Sequence, residues 1–321
     1  MSYISLSFLI FVFVLIALYW IFPKKIRWSI LLVGSLFFYY FAGWEKLIFC
    51  LTTAIVVFLL GIGIERVFSS VKYAQLSMGV KKSKARFLLI TGIITILILL
   101  IYSKIGNRVF RFILENHGLD TAVFQTIIIP LGISYYSFSL IGYLADVYWQ
   151  KDKAEKNFFK FLLYMIYFPQ ILQGPIPRHK RLSSDLFEVK KFDYKTLCFG
   201  LQRAVWGYFK KLVIADRFGI LSNTIWGDID SYKGQFVIVA LLSSVVYLYC
   251  DFSGCMDIAL GISESLGVRL DENFKRPFFS KSAAEFWRRW HITLGTWFKD
   301  YVYMPLVINP GLITTSIAVF K

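Results

Sequence analysis

Leu47–Ile64 reads LIFCLTTAIVVFLLGIGI, eighteen residues with no charge among them. A helix needs roughly 20 predominantly apolar residues to cross a bilayer. Glu45-Lys46 before this run and Glu65-Arg66 after it mark the two edges. Apolar runs of this kind recur along the chain. They are Leu6–Phe22, Trp28–Phe41, Phe87–Tyr102, Val123–Trp149, Phe158–Leu172, Leu197–Phe209, Phe236–Phe252, Met256–Leu266, Phe286–Leu306 and Leu312–Phe320. Several are shorter than a full span, and short runs can tilt, re-enter or lie buried between other helices. Leu6–Phe22 has no basic residue before it and no small-residue cleavage site after it, so it reads as a retained helix and not a signal peptide. The pattern predicts an all-α, multi-pass transmembrane protein with re-entrant or broken helices around an intramembrane cavity. It also predicts one membrane domain over 1–321, with N-terminal helices to about 120 and a motif-bearing core from about 121.

Composition supports this. Of 321 residues, 57% are hydrophobic, 19% aromatic and only 17% charged, against about 25% charged in an ordinary soluble domain. The mean hydropathy is +0.60. A soluble enzyme, a disordered chain and a secreted disulfide scaffold are disfavoured together. The net charge of +16 comes from 36 Lys and Arg against 20 Asp and Glu. These basic residues lie in short clusters between apolar runs, as topogenic charges do, and would attract anionic lipid headgroups. No basic stripe on a polar domain exists to bind nucleic acid. Cys50, Cys198, Cys250 and Cys255 show neither a disulfide framework nor metal spacing.

The loops set an orientation. Residues 1–22 carry no Lys or Arg, Pro23–Arg27 carries three, Gly43–Lys46 one and Glu65–Arg86 six. This alternation places the N-terminus outside and Glu65–Arg86 in the cytoplasm. Lys151, Lys153 and Lys156 continue the pattern inside. A spanning Phe158–Leu172 would then put Arg178, Lys180, Arg181, Lys190, Lys191 and Lys195 outside, against the rule. A segment that enters and returns, or is too short to cross, removes the conflict, and broken backbone at membrane depth needs protein or a water-filled cavity around it.

Polar residues in apolar surroundings are the informative ones. Pro130–Tyr136 (PLGISYY) interrupts a helix and offers the Ser134, Tyr135 and Tyr136 hydroxyls; a kinked packing helix is the other reading. Phe168–Arg178 (FPQILQGPIPR) holds three prolines and a glycine and predicts a fixed, non-helical segment from Pro169 to Arg178 containing Gln173. Asp251–Asp257 (DFSGCMD) sets two carboxylates six residues apart. They either orient a basic partner or a cation, or sit solvated in a loop at the membrane edge. Glu285–Ile292 (EFWRRWHI) read as a helix puts Arg288 and His291 on one face, with Asp251 or Asp257 as a balancing charge. An imidazole suits proton transfer; an interfacial Trp/Arg belt with His291 in a capping network is the alternative. The three histidines, His117, His179 and His291, show no metal spacing, and no Gly-x-Ser-x-Gly elbow or phosphate-cradling Gly-Lys-Ser/Thr loop is present.

These blocks, in order, resemble the membrane-bound O-acyltransferase family. The matching segments are Pro130–Ser134 with Asp146-Val147-Tyr148, then Phe168-Pro169-Gln170 with Gly174-Pro175-Ile176 and Arg178. Next come Asp251–Gly254 with Asp257, and Glu272-Asn273-Phe274 with Pro277. Glu285–His291 follows, running on to Trp297–Tyr301 and Pro305-Leu306. The nearest branch resembles the bacterial alginate O-acetyltransferase type; the branch that loads D-alanine onto teichoic acid fits less well around Asp146–Tyr148. The resemblance implies a bacterial plasma-membrane enzyme with a tunnel or funnel. It implies an acyl thioester, acetyl-CoA in this branch, as donor substrate, with no bound cofactor. The implied acceptor is a hydroxyl of an exopolysaccharide, served by an extracytoplasmic partner acyltransferase. His291 is the implied catalytic residue. Arg288, Asp251, Asp257, Asn273, Ser134, Gln173 and Arg178 are the implied substrate-binding or cavity-lining residues. The family also carries a histidine in a later apolar helix, and the resemblance implies that one as the usual candidate for the catalytic base. None follows His291 here, and after Pro305-Leu306 the chain reads Val307-Ile308-Asn309-Pro310-Gly311 and stops at Lys321. The chain therefore reads as a copy lacking the family's last helices. Rival readings are a transporter of polysaccharide or lipid-linked sugar, which broken helices also fit, and a non-catalytic membrane subunit. The chain shows no internal repeat of the kind many transporters carry.

Overall fold

The computed structural model describes residues 3–70, 73, 75–117, 129–171 and 173–308. Fourteen helices follow one another along the described residues. They are α1 (Leu6–Ile21), α2 (Arg27–Tyr40), α3 (Trp44–Ser69), α4 (Met78–Asn116), α5 (Ile133–Tyr148), α6 (Phe158–Ile166) and α7 (Phe168–Ile171). Then come α8 (His179–Phe187), α9 (Tyr194–Tyr208), α10 (Asp216–Gly227), α11 (Gln235–Ser265), α12 (Ala283–Arg289), α13 (Ile292–Phe298) and α14 (Met304–Ile308). Two π-helical turns, Phe209–Ala215 and Lys299–Tyr303, join α9 to α10 and α13 to α14. No strand forms among the described residues; one isolated bridge pairs Phe274 with Trp290. Trp44–Ser69, Met78–Gly106 and Gln235–Ser265 are long and apolar enough to cross a membrane, and α1 is a shorter apolar helix.

Contacts divide the chain into two compact units. One comprises Met1–Ile30, Gln173–Pro175 and Asp185–Thr293, the other Leu31–Leu172, Ile176–Ser184 and Leu294–Lys321. In the first unit, α9 and α11 run antiparallel and touch through glycine. A Cβ on Gly207 would lie 2.6 Å from the Gly254 carbonyl oxygen, and one on Gly200 would lie 2.6 Å from that of Gly261. Small residues at such crossings let two backbones approach, the packing that works where lipid supplies no hydrophobic drive between helices. Expected as two runs, Phe236–Phe252 and Met256–Leu266 form one helix, because Ser253, Gly254 and Cys255 pack inside it without a break.

One end of this unit gathers basic turns. Trp20 Nε1 donates to the Ser265 carbonyl at 3.0 Å, and Arg27 donates to the Lys190 carbonyl at 3.0 Å. The turn holding Lys190 and Lys191 therefore shares a side with Pro23–Arg27. In the second unit α6 has nine residues, about 14 Å at 1.5 Å per residue, less than half of the hydrocarbon thickness of about 30 Å. α6 is too short to cross by itself, as one of the two expected remedies for the charge conflict requires.

The expected interruption at Pro130–Gly132 is the start of α5. Gly132 has φ +68°, and a Cβ there would sit 2.2 Å from the Ile171 carbonyl oxygen, so only glycine fits. Upstream, residues 118–128 lie outside the described residues, as do 309–321, and with them Leu312–Phe320 and the first six residues of Val123–Trp149. Pro169 and Gln170 lie in the single turn α7, which corrects the expectation of a wholly non-helical Pro169–Arg178. The sequence from Gly174 to Arg178 does lack regular structure and is buried except for half-buried Arg178.

Candidate active site

A ladder of ion pairs fills the seam between α9 and α11. Lys211 meets Asp251 at 2.5 Å and Asp216 at 2.9 Å. Lys210 meets Asp257 at 2.5 Å. Arg203 meets Asp257 at 3.0 Å and grips Glu272 with two nitrogens at 2.7 Å each. The π-turn lets the consecutive Lys210 and Lys211 both reach α11, a local widening that recurs at functional sites. Asp251 and Asp257 therefore orient basic partners supplied by α9 and the π-turn, as one of the two sequence readings held. They do not balance Arg288, which is exposed. Nothing in the apolar run Leu197–Phe209, or in Lys210 and Lys211 just after it, singled out these cations; three cations spaced to face the two acids Asp251 and Asp257 on an antiparallel helix was the available signal.

Below this ladder lies a cavity of about 540 Å³. Its wall includes Arg203, Lys210, Asp257 and Glu272 together with Asn273, Lys275, Arg276 and Arg289. Cations outnumber carboxylates, so it favours anionic groups.

The segment Asn273–Lys275 that lines the cavity also holds His291. The expected helix through Glu285–Ile292 does not form: α12 stops at Arg289, Trp290 is extended, and His291 has φ 45°. A non-glycine residue in this left-handed region costs of order 1–3 kcal/mol and persists only where its surroundings impose it. Here they do. The Lys275 amide donates to the Arg289 carbonyl at 3.0 Å and the Ile292 amide to the Asn273 carbonyl at 3.0 Å. Asn273 Oδ1 accepts from the Thr293 amide at 3.0 Å and its hydroxyl at 2.6 Å. Arg288 and His291 consequently do not share a helix face. The His291 ring lies edge-on to Phe252 at 5.0 Å. Its Nδ1 is buried without a hydrogen-bond partner among the described residues. Burial pushes the imidazole below the ordinary histidine pKa, which leaves a neutral proton acceptor near neutral pH. His291 is not itself in the wall of the cavity; Asn273 belongs to both.

The remaining nominated residues fall elsewhere. Gln173 is exposed. The buried glutamine is Gln170, whose Oε1 accepts from the Tyr135 hydroxyl at 2.9 Å. Ser134 is half-buried in the first turn of α5. Arg178 donates to Asp300 at 2.7 Å and lies 4.3 Å from the centre of the Tyr301 ring. Tyr301 in turn donates to Asp146 at 2.7 Å and stacks on Trp149 at 5.7 Å.

Residues 152–320 match the sequence pattern of the membrane-bound O-acyltransferase family. The chain belongs to this family. It is 34% identical over 305 residues to a probable alginate O-acetylase of Pseudomonas aeruginosa, covering 94% of this chain and 56% of that protein. A peptidoglycan O-acetyltransferase of Helicobacter pylori is 31% identical over 318 residues, covering 89% and 56%. A teichoic acid D-alanyltransferase of Streptococcus thermophilus is 35% identical over 194 residues, covering 57% and 46%. The chain thus spans about half the length of these relatives. Family membership carries the expected membrane setting, and the three membrane-length helices agree with it.

Proposed function

We propose that this chain forms the acyl-transfer core of a bacterial O-acyltransferase. It moves an acyl group, acetyl in the nearest branch, from a thioester to a hydroxyl of an extracytoplasmic polysaccharide or of a partner protein. The observation that carries this reading is the half-buried imidazole of His291, set in the left-handed region with its Nδ1 buried and held by the Asn273 strap at the edge of a basic cavity. In the reaction the acceptor O–H gives its proton to the imidazole as its oxygen attacks the thioester carbonyl. The C–S bond breaks, and the thiolate leaves and takes up a proton. Donors such as acetyl-CoA carry phosphates, and Lys275, Arg276 and Arg289 supply charge to hold them. The longer relatives are named for alginate, peptidoglycan and teichoic acid, which favours a polysaccharide acceptor.

The test is transfer of labelled acetyl from acetyl-CoA to polysaccharide in bacterial membranes carrying the protein. Label in base-labile O-esters of the polymer supports the reading. Incorporation from a D-alanyl thioester instead redirects it to the teichoic acid branch, and polymer export without esterification points to transport.

A further inference from the structure

His179 is a buried imidazole that the proposed chemistry leaves unused. It opens α8 and is 5% exposed. Its Nδ1 bonds to Asp152 Oδ2 at 2.7 Å; a carboxylate only accepts, so Nδ1 carries the hydrogen. Tyr143 and Tyr164 meet the ring at 4.8 Å each, both edge-on. Both tyrosines are themselves fixed: Tyr164 donates to the Ser139 carbonyl, and the Tyr143 hydroxyl accepts from the Glu155 amide. Nε2 is buried with no partner among the described residues. The ring cannot flip without burying an unpaired N–H and losing the carboxylate.

The contacts close a circuit. Asp152 is held because its amide and that of Lys151 donate to the Asp146 carbonyl at 3.3 and 2.9 Å. Asp146 accepts from Tyr301 through its carboxylate, Tyr301 lies under Arg178, and Arg178 is the residue before His179. From Asp146 through Tyr301, Arg178, His179 and Asp152, the chain of contacts returns to Asp146. Within it Arg178 has one nitrogen, Nη1, buried and unpaired among the described residues, while its other terminal nitrogen is committed to Asp300.

We infer that His179 is a positioning residue: locked to Asp152 between two tyrosines, it fixes the backbone that aims the Arg178 guanidinium. Its effect on acyl transfer rests on the function proposed above. Its effect on the backbone does not.

Two measurements on the protein in lipid nanodiscs test it. His179→Phe keeps the ring and loses the donor, whereas His179→Asn keeps a side-chain N–H near the Nδ1 position. His179→Phe is expected to raise amide hydrogen exchange in the peptide over Ile176–Arg178 and to lower acyl transfer about tenfold, the worth of one charge-assisted hydrogen bond. His179→Asn is expected to restore both to within about threefold of wild type, the spread within which single contacts vary. In an Arg178→Ala background, His179→Phe should cost transfer nothing more. Unchanged exchange in His179→Phe overturns the proposal. So does a His179→Phe loss of transfer that persists undiminished without Arg178. If the wild type transfers no acyl group, the function is wrong, and the exchange experiment still decides whether His179 fixes this segment.

Discussion

Replacing Asn273 by alanine is expected to unfasten His291 while the helices stay in place. Asn273 is 1% exposed, and its Oδ1 satisfies both the amide and the hydroxyl of the buried Thr293. Alanine removes that acceptor from two donors. Each buried donor left unpaired costs about 1–3 kcal/mol, so the upper range is about 2–6 kcal/mol. The hydroxyl can rotate towards another acceptor and the amide cannot, which puts the expected loss nearer about 2–3 kcal/mol. The left-handed turn at His291 itself costs about 1–3 kcal/mol. With one clamp gone, relaxation of that turn becomes favourable. A misplacement of about 1 Å at a reacting group costs about 10²-fold in rate, and that is the loss expected for Asn273→Ala. Transfer is read in membranes at matched protein abundance, and stability by thermal unfolding in detergent. Thr293→Val removes only the hydroxyl bond and should do less. Because the two residues share that bond, the double variant should fall short of the sum of the single losses by about 1 kcal/mol. Wild-type transfer by Asn273→Ala, or strict additivity with Thr293→Val, would refute the clamp.

The other expectations can be checked with the same preparations. Gly207→Val places a side chain against the Gly254 and Ile258 backbone at 2.6–2.7 Å. It should destabilise the protein by about 1–3 kcal/mol or more and loosen the Lys210–Asp257 pair across the same seam. Gly295→Ala meets nothing within 4 Å and should leave the melting temperature unchanged or slightly higher. Because burial depresses the His291 pKa and the neutral form is the base, transfer should be flat at neutral pH. It should fall on acidification with a midpoint below the ordinary histidine value of about 6.5; a midpoint above that value counts against the assignment. A cysteine at Ser70, at the C-terminal end of α3, should react with an impermeant thiol reagent only in inverted vesicles. Labelling of intact cells would reverse the orientation.

Much of the fold was legible because apolar runs and their flanking charges report directly on the bilayer. What misled was local grammar. Ser253-Gly254-Cys255 looked like a break and is a packing face, since Gly254 meets Gly207 across the seam. Glu285–Ile292 looked like one helix, yet cross-links from Asn273, eighteen residues before His291, bend it at that histidine. The site was legible as a set of residues and not as an arrangement. Asp251 and Asp257 were found, but their partners Lys211, Lys210 and Arg203 lie more than 35 residues away in sequence. Gln173 drew attention in place of Gln170 because both flank the same prolines, and only burial separates them.

The central claim is that the His291 imidazole takes the acceptor's proton. The most direct measurement is O-acetylation of polysaccharide by wild type and His291→Ala, expressed in bacterial membranes at matched abundance and equal thermal stability. The expected result is a loss of about 10²–10⁴-fold, the range for removing a general base, with donor binding retained. Equal rates in the two proteins would contradict the account and leave His291 a packing residue against Phe252.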